Sequence, residues 1–262
     1  MADSETPGPE QADARTDVGA GHPPPGLGVR REGPVSVLTL QREERRNALD
    51  LHLCRTLQQA AAQEVAAGAR VLVVTGAGTS FCSGADLGGV YGQEFLDALY
   101  GMLRSLTRLP VPLVAAVNGP AIGAGTQLAL ACDLRVADET ARFAVPTARN
   151  GMAVDAWTIR TLAAVAGGGV ARRLMLAADT LDRDAAVHHG LVDRAGGLDA
   201  ALAWAHEIAA LAPLTLAHNK LVLAGGDDQA VGESFARCWA SDDVREAAAA
   251  REERRTPVFR GR

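Results

Sequence analysis

"NGPAIGAGTQLALACD", residues 118–133, is the stretch on which the reading of this chain turns. Gly119, Gly123 and Gly125 surround a turn, and an apolar helical run from Leu128 to Ala131 follows at once. The first N–H groups of a helix have no partner inside it and carry a partial positive charge, so they face a bound oxygen well. Residues without bulky side chains let that oxygen come close. The same glycines would also let the helix lie tightly on a neighbouring strand, and this segment alone leaves both readings open. Gln127, one turn inside the helix, is the polar exception in an apolar run.

Outward from this stretch, apolar strands and amphipathic helices alternate. "VSVLTLQR" (35–42) alternates as a strand does, and "ALDLHLCRTLQQAAAQEVAAG" (48–68) carries leucines at helical spacing up to a glycine stop. "RVLVVTGAG" (70–78) reads as a buried strand, "EFLDALYGMLRSLTRL" (94–109) as a helix, and "VPLVAAVNG" (111–119) as another buried strand. Strand, helix, strand, helix, strand is the pattern of a parallel sheet with crossover helices. Beyond residue 155 the chain reads as entirely helical, over 156–166, 168–178, 182–188, 198–211, 214–223 and 229–254. The fold class is therefore α/β, with a helical carboxy-terminal part.

Bulk properties narrow the function. Of 262 residues, 48% are hydrophobic and 22% charged, as in ordinary soluble domains, but only 4% are aromatic, so the core must be aliphatic. Net charge is -5 and the basic residues are scattered, which argues against a nucleic-acid surface. It leaves room for a few basic residues holding a phosphorylated small molecule. Cys54, Cys82, Cys132 and Cys238 show neither CxxC nor metal spacing, which fits buried thiols and no bound metal. Residues 1–27 contain five of the twelve prolines and five acidic residues, and read as a flexible tail rather than a secretory signal. No apolar run approaches membrane-spanning length, and the expected location is cytoplasmic.

Two glycine turns follow two buried strands: "FCSGADL" (81–87) and "GPAIGAG" (119–125). In a parallel sheet both lie at the carboxyl ends of strands, where α/β proteins bind ligands. Two backbone N–H groups converging there on one carbonyl oxygen would form an oxyanion hole. A dinucleotide site is a poor alternative, because Phe81 stands where "VVTGAGTSF" would need its third glycine. Ser83 and Cys82 have no histidine nearby in sequence to activate them as nucleophiles. His188 and His189 close a helix, with no cysteine or carboxylate cluster beside them.

In combination and order, "REERRNALD", "FCSGADL", "PLVAAVNGPAIGAGTQLALACDLRVA" and the closing "TPVFRGR" resemble the crotonase (enoyl-CoA hydratase/isomerase) family over about residues 30–262. The resemblance implies a spiral ββα core over residues 28–195 and a helical oligomerisation region over 196–262, assembled as a trimer or a dimer of trimers. It implies a thioester oxygen held by the N–H groups of Ala85 and Ala124. By the same likeness Arg46, Ala48, Ser83, Gly84, Ala85, Asp86 and Leu87 line the coenzyme A site, with Lys220 and Phe259 near its adenine end. Asp86 also reads as a loop-holding residue that bonds backbone N–H groups.

The hydratases of this family place two glutamates at the double bond; the matching positions here are Gln127 and Thr147. Neither an amide nor an alcohol exchanges a proton near neutral pH. Asp155, in "AVDAWTIRTLAAV", matches an acidic residue of dienoyl-CoA isomerases, but it equally reads as a helix N-cap or as a polar group of the ligand site. Trp157 belongs to the pocket wall or to the core. The set Gln127, Thr147 and "VDAW" resembles a mycobacterial branch that lacks the hydratase glutamates and handles long acyl-CoA for mycolic-acid synthesis. The expectation is a protein binding long-chain acyl-CoA as ligand, without further cofactor and without hydratase activity, with fatty-acid-synthesis proteins as candidate partners. An enzyme using Asp155 or another group for isomerisation or enolate chemistry is the alternative.

Overall fold

The computed structural model describes residues 26–86, 88 and 92–262. Of the tail anticipated over residues 1–27, all but Gly26 and Leu27 lies outside the described residues, as does Leu87. A six-stranded sheet runs in the order β1-β2-β3-β4-β6-β9, formed by Leu27–Glu32, Val35–Leu40, Val71–Gly76, Leu113–Val117, Leu134–Ala137 and Arg194–Ala195. β1 pairs antiparallel with β2, Leu27 opposite Leu40, and every later neighbour in this sheet is parallel. A smaller sheet of β5 (Pro120–Ile122), β7 (Arg142–Ala144) and β8 (Thr180–Asp182) sits beside it.

Both faces of the central strands β2, β3 and β4 are covered, which is why these strands are apolar almost throughout, whereas the edge strands β1 and β9 are largely exposed. Leu38, Leu40, Leu72, Val74, Leu113 and Ala115 face the large core, while Val35, Val37, Val71, Val73 and Val114 face the other side. α1 (Leu51–Ala66), α2 (Gln93–Arg108) and α3 (Ala124–Ala131) pack on the first face. Helix α2 contributes Phe95, Leu99, Met102, Leu103 and Leu106, one stripe at helical spacing. The opposite face is closed by α7 (Leu198–Ala209) through Ala201, Ala205 and Ile208. Part of the region 196–262 expected to make oligomer contacts is thus used within the subunit, while Leu211 beyond α7 is 49% exposed.

The expectation of an entirely helical chain beyond residue 155 is corrected by β8 and β9. These strands have three and two residues and pair only with distant β7 and β6, so no local periodicity announces them. The helices there are α4 (Ala156–Ala166), α5 (Gly168–Leu176), α6 (Arg183–His188), α7, α8 (Pro213–Leu223), α9 (Asp228–Trp239) and α10 (Asp242–Glu253). The single helix expected over 229–254 is two, because the Ser241 hydroxyl turns back to Cys238 O at 2.7 Å and Asp242 and Asp243 open a new first turn. Among the described residues, no single helix is long and apolar enough to cross a membrane.

Candidate functional site

The glycines of the opening stretch divide into two kinds. A Cβ on Gly119 would collide with Thr79 O and one on Gly125 with Cys82 O, so these positions allow close approach of two backbones. Gly123 meets nothing, but its φ of +56° makes the turn into α3 that a side chain would strain. Tight packing and an open helix start therefore coexist in one segment, at different residues.

The two turns touch. A Cβ on Gly84 (φ +112°) would lie 2.8 Å from Ile122 O and 3.8 Å from Ala124 N. Ile122 N donates to Cys82 O at 2.9 Å, and Cys82 N to Pro120 O at 3.1 Å. Asn118 ties the strand ends, its Nδ2 donating to Gly76 O at 2.7 Å and Gly78 O at 3.0 Å. Ala85 N and Ala124 N donate no backbone hydrogen bond among the described residues. Both residues line one cavity of about 460 Å³.

"REERRNALD" forms one side of this site. Buried Asn47 accepts from Arg42 N at 2.9 Å and donates to Ala77 O and Ser80 O at 2.8 and 2.7 Å. Leu49 N donates to Gly84 O and Asp86 N to Leu49 O, both at 2.8 Å, so the segment holds the loop that presents Ala85. Arg46, Ala48, Ser83, Gly84, Ala85 and Asp86 all line the cavity. Asp86 accepts from Gly88 N at 3.2 Å and pairs with Arg42 at 3.1 Å. The Gly88 N–H, then the Arg42 guanidinium, hold its carboxyl below the usual range.

Gln127 and Thr147 stand on the wall of the same cavity. Thr147 follows Pro146 in a 3-10 turn, Pro146–Asn150, brought alongside α3 by the pairing of β5 with β7 and by Gly123 N donating to Ala144 O at 2.7 Å. Gln127, only 2% exposed, donates from Nε2 to Thr158 Oγ1 at 2.8 Å. Thr158 Oγ1 donates in turn to Asp155 Oδ1 at 2.6 Å, and Thr158 N to the same oxygen at 3.0 Å. Asp155 is the N-cap of α4 and does not line the cavity. Trp157 is partly buried against the main core and is likewise absent from the cavity wall.

Lys220 and Phe259 are not brought to this cavity. Lys220 is buried, with Nζ donating to Asp133 Oδ2 at 2.7 Å and Val111 O at 2.9 Å, at the edge of a separate groove beside α8 and α9. The carbonyl of Phe259 accepts from Arg70 Nη1 at 3.0 Å. Cys82 is fully buried beneath the loop, and burial pushes its thiol up to about 12, which removes it as a nucleophile.

Sequence reasoning did not find Thr158, or the apolar wall of Phe95, Leu96, Leu99, Tyr100 and Met152. Thr158 had a signal: it stands three residues after a candidate N-cap, where a capping partner belongs. The α2 residues had none, since their spacing announces a core stripe and not which part of it faces a ligand.

The spiral core, with two glycine turns joined at the strand ends, is the crotonase fold, and the sequence model of the enoyl-CoA hydratase/isomerase family matches residues 30–262; the chain belongs to that family. It is 44% identical over 243 residues to the probable enoyl-CoA hydratase echA6 of Mycobacterium tuberculosis, covering 90% of this chain and 99% of that one. It is 33% identical to the 2,3-dehydroadipyl-CoA hydratase of Escherichia coli, over 89% of this chain and 98% of that one. Among solved structures, an enoyl-CoA hydratase from Bacillus anthracis superposes with a TM-score of 0.82 at 28% identity, covering 90% of this chain and 100% of that chain.

Proposed function

We propose that this protein binds long-chain acyl-CoA in lipid metabolism and does not hydrate enoyl-CoA at a useful rate. The thioester oxygen is held by Ala85 N and Ala124 N, and the acyl chain runs along Phe95, Leu96, Leu99 and Met152. The observation that carries this reading is that Ala85 and Ala124 line one cavity with Gln127 and Thr147, the residues that the resemblance matches to the proton-transferring glutamates. General acid–base groups contribute about 100- to 10,000-fold each, so their replacement leaves binding without efficient turnover. Among the described residues, the carboxylates on the wall are Glu44, which is exposed, and Asp86. The lowered pKa of Asp86 makes it a poor proton acceptor, and Asp155 is turned to its own helix cap. Service in mycolic-acid synthesis, a trimeric or hexameric assembly and contacts with fatty-acid-synthesis proteins follow from the resemblance to the glutamate-lacking mycobacterial branch.

Calorimetry with an acyl-CoA series beside a crotonyl-CoA hydration assay tests this. Saturable binding with turnover below about 1 s⁻¹ is expected, that being the lower end of typical enzymes. Faster turnover, or no binding, overturns it.

A further inference from the structure

We propose that the site selects acyl thioesters by what they carry near the β-carbon, favouring 3-hydroxyacyl chains over saturated or 3-oxo chains of equal length, because Asp155 and Thr158 fix Gln127 as a hydrogen-bond acceptor towards the cavity. This rests on the thioester oxygen lying at Ala85 N and Ala124 N.

The Thr158 hydroxyl has one proton to give. A carboxylate only accepts, so the Thr158 hydroxyl places its single hydrogen on Asp155 Oδ1, 2.6 Å away. Thr158 Oγ1 then has only lone pairs for Gln127, and only the NH2 end of an amide can donate to them. The amide is thereby oriented, with Oε1 as its other end. Among the described residues Oε1 has no hydrogen-bond partner, and it is not one of the sealed, unsatisfied polar atoms, which are Arg70 Nε and His218 Nδ1. It therefore opens onto the cavity that Gln127 lines.

Position sets what that oxygen meets. Gln127 lies three residues after Ala124 in α3, one turn along the same side of the helix. Cβ atoms at that spacing are about 5–6 Å apart, the scale that separates a thioester oxygen from a substituent near the β-carbon, and both residues line one cavity. A hydroxyl there donates to Oε1. A 3-oxo group presents a second acceptor, and a methylene leaves Oε1 without a partner, which costs more than a hydrogen bond gains. Thr158 and Asp155 are positioning residues in this scheme, since they act through Gln127.

Calorimetry with dodecanoyl-CoA, 3-hydroxydodecanoyl-CoA and 3-oxododecanoyl-CoA reads the selection. The wild-type protein should bind the hydroxy ligand about 3- to 10-fold more tightly than the saturated one, one hydrogen bond's worth, and the oxo ligand most weakly. Thr158→Val should bring the hydroxy-to-saturated ratio towards one, and Thr158→Ser should restore it. If Thr158→Val does not fold, Gln127→Met should abolish the ratio instead. Equal binding of all three ligands by the wild type, or a ratio that survives loss of the Thr158 hydroxyl, overturns the inference and leaves acyl-CoA binding standing. Failure to bind any of the three overturns both.

Discussion

Gln127 Nε2 donates to Thr158 Oγ1 at 2.8 Å, and this one bond determines what position 127 can do. In the hydratases that this chain resembles, the matching glutamate must be able to ionise. Here the neighbouring hydroxyl points its lone pairs, not its proton, at position 127, because Asp155 holds the proton. A buried carboxyl facing lone pairs is stabilised in its protonated form.

Gln127→Glu alone should therefore titrate well above the ordinary carboxylate range and give no measurable hydration of crotonyl-CoA. Gln127→Glu with Thr147→Glu should give measurable hydration, since water activation and proton delivery act as a unit. Adding Asp155→Gly should increase that rate by freeing the Thr158 proton for Glu at 127; glycine is a tolerable N-cap, costing a few tenths of a kcal/mol, so the fold should survive. A triple variant that binds acyl-CoA but stays at background would mean that missing carboxylates are too small an explanation.

Gly84→Ala and Gly123→Ala should fail differently. The first drives a Cβ to 2.8 Å from Ile122 O, pushing apart the turns that carry Ala85 and Ala124. Acyl-CoA affinity should fall about tenfold, since two N–H donors lose their common focus on the thioester oxygen. The second meets no atom and carries only the strain of a positive φ with ψ near -113°, a stability cost of about 1–3 kcal/mol. Comparable affinity losses in both would refute the distinction; urea melts and titrations measure the two quantities.

Lys220→Met separates a structural from a ligand role for that residue. Its ammonium is bonded to Asp133 and to the Val111 carbonyl, so removal should cost about 2 kcal/mol in urea unfolding, after allowance for the part-exposed Asp133. Unchanged stability with a loss of acyl-CoA affinity would instead place Lys220 at the ligand.

The carboxy-terminal segment should detach in acid. Glu246 accepts from Val258 N at 2.7 Å and pairs with Arg255, and Asp243 accepts from Arg260 N and Gly261 N at 2.7 and 2.9 Å. Arg255, then the Val258 N–H, lower the Glu246 carboxyl from 4.5 to about 2. A depressed folded value makes this tether complete above the ordinary value and loses it as pH falls towards about 2. The Val258 amide resonance should shift with a midpoint near 2; a midpoint near 4.5 would contradict the tether.

Much of this was legible in one dimension. The order of apolar strands and amphipathic helices and the two glycine turns after buried strands follow from residue type and spacing, because burial on both faces imposes its pattern locally; that Gln127 and Thr147 match glutamate positions is what the resemblance to the family implies. Asp155 as an N-cap was also readable, since capping is a relation between residues three apart. Other features came only from tertiary structure. The strands β8 and β9 exist by pairing with distant segments, and Lys220 is fixed by an aspartate 87 residues away. That Gly119 and Gly125 serve contact while Gly123 serves conformation depends on which backbone lies opposite. The sequence placed an amide at position 127; which end of that amide faces the cavity was decided by Thr158, 31 residues on, because a single hydroxyl proton can be given to only one neighbour.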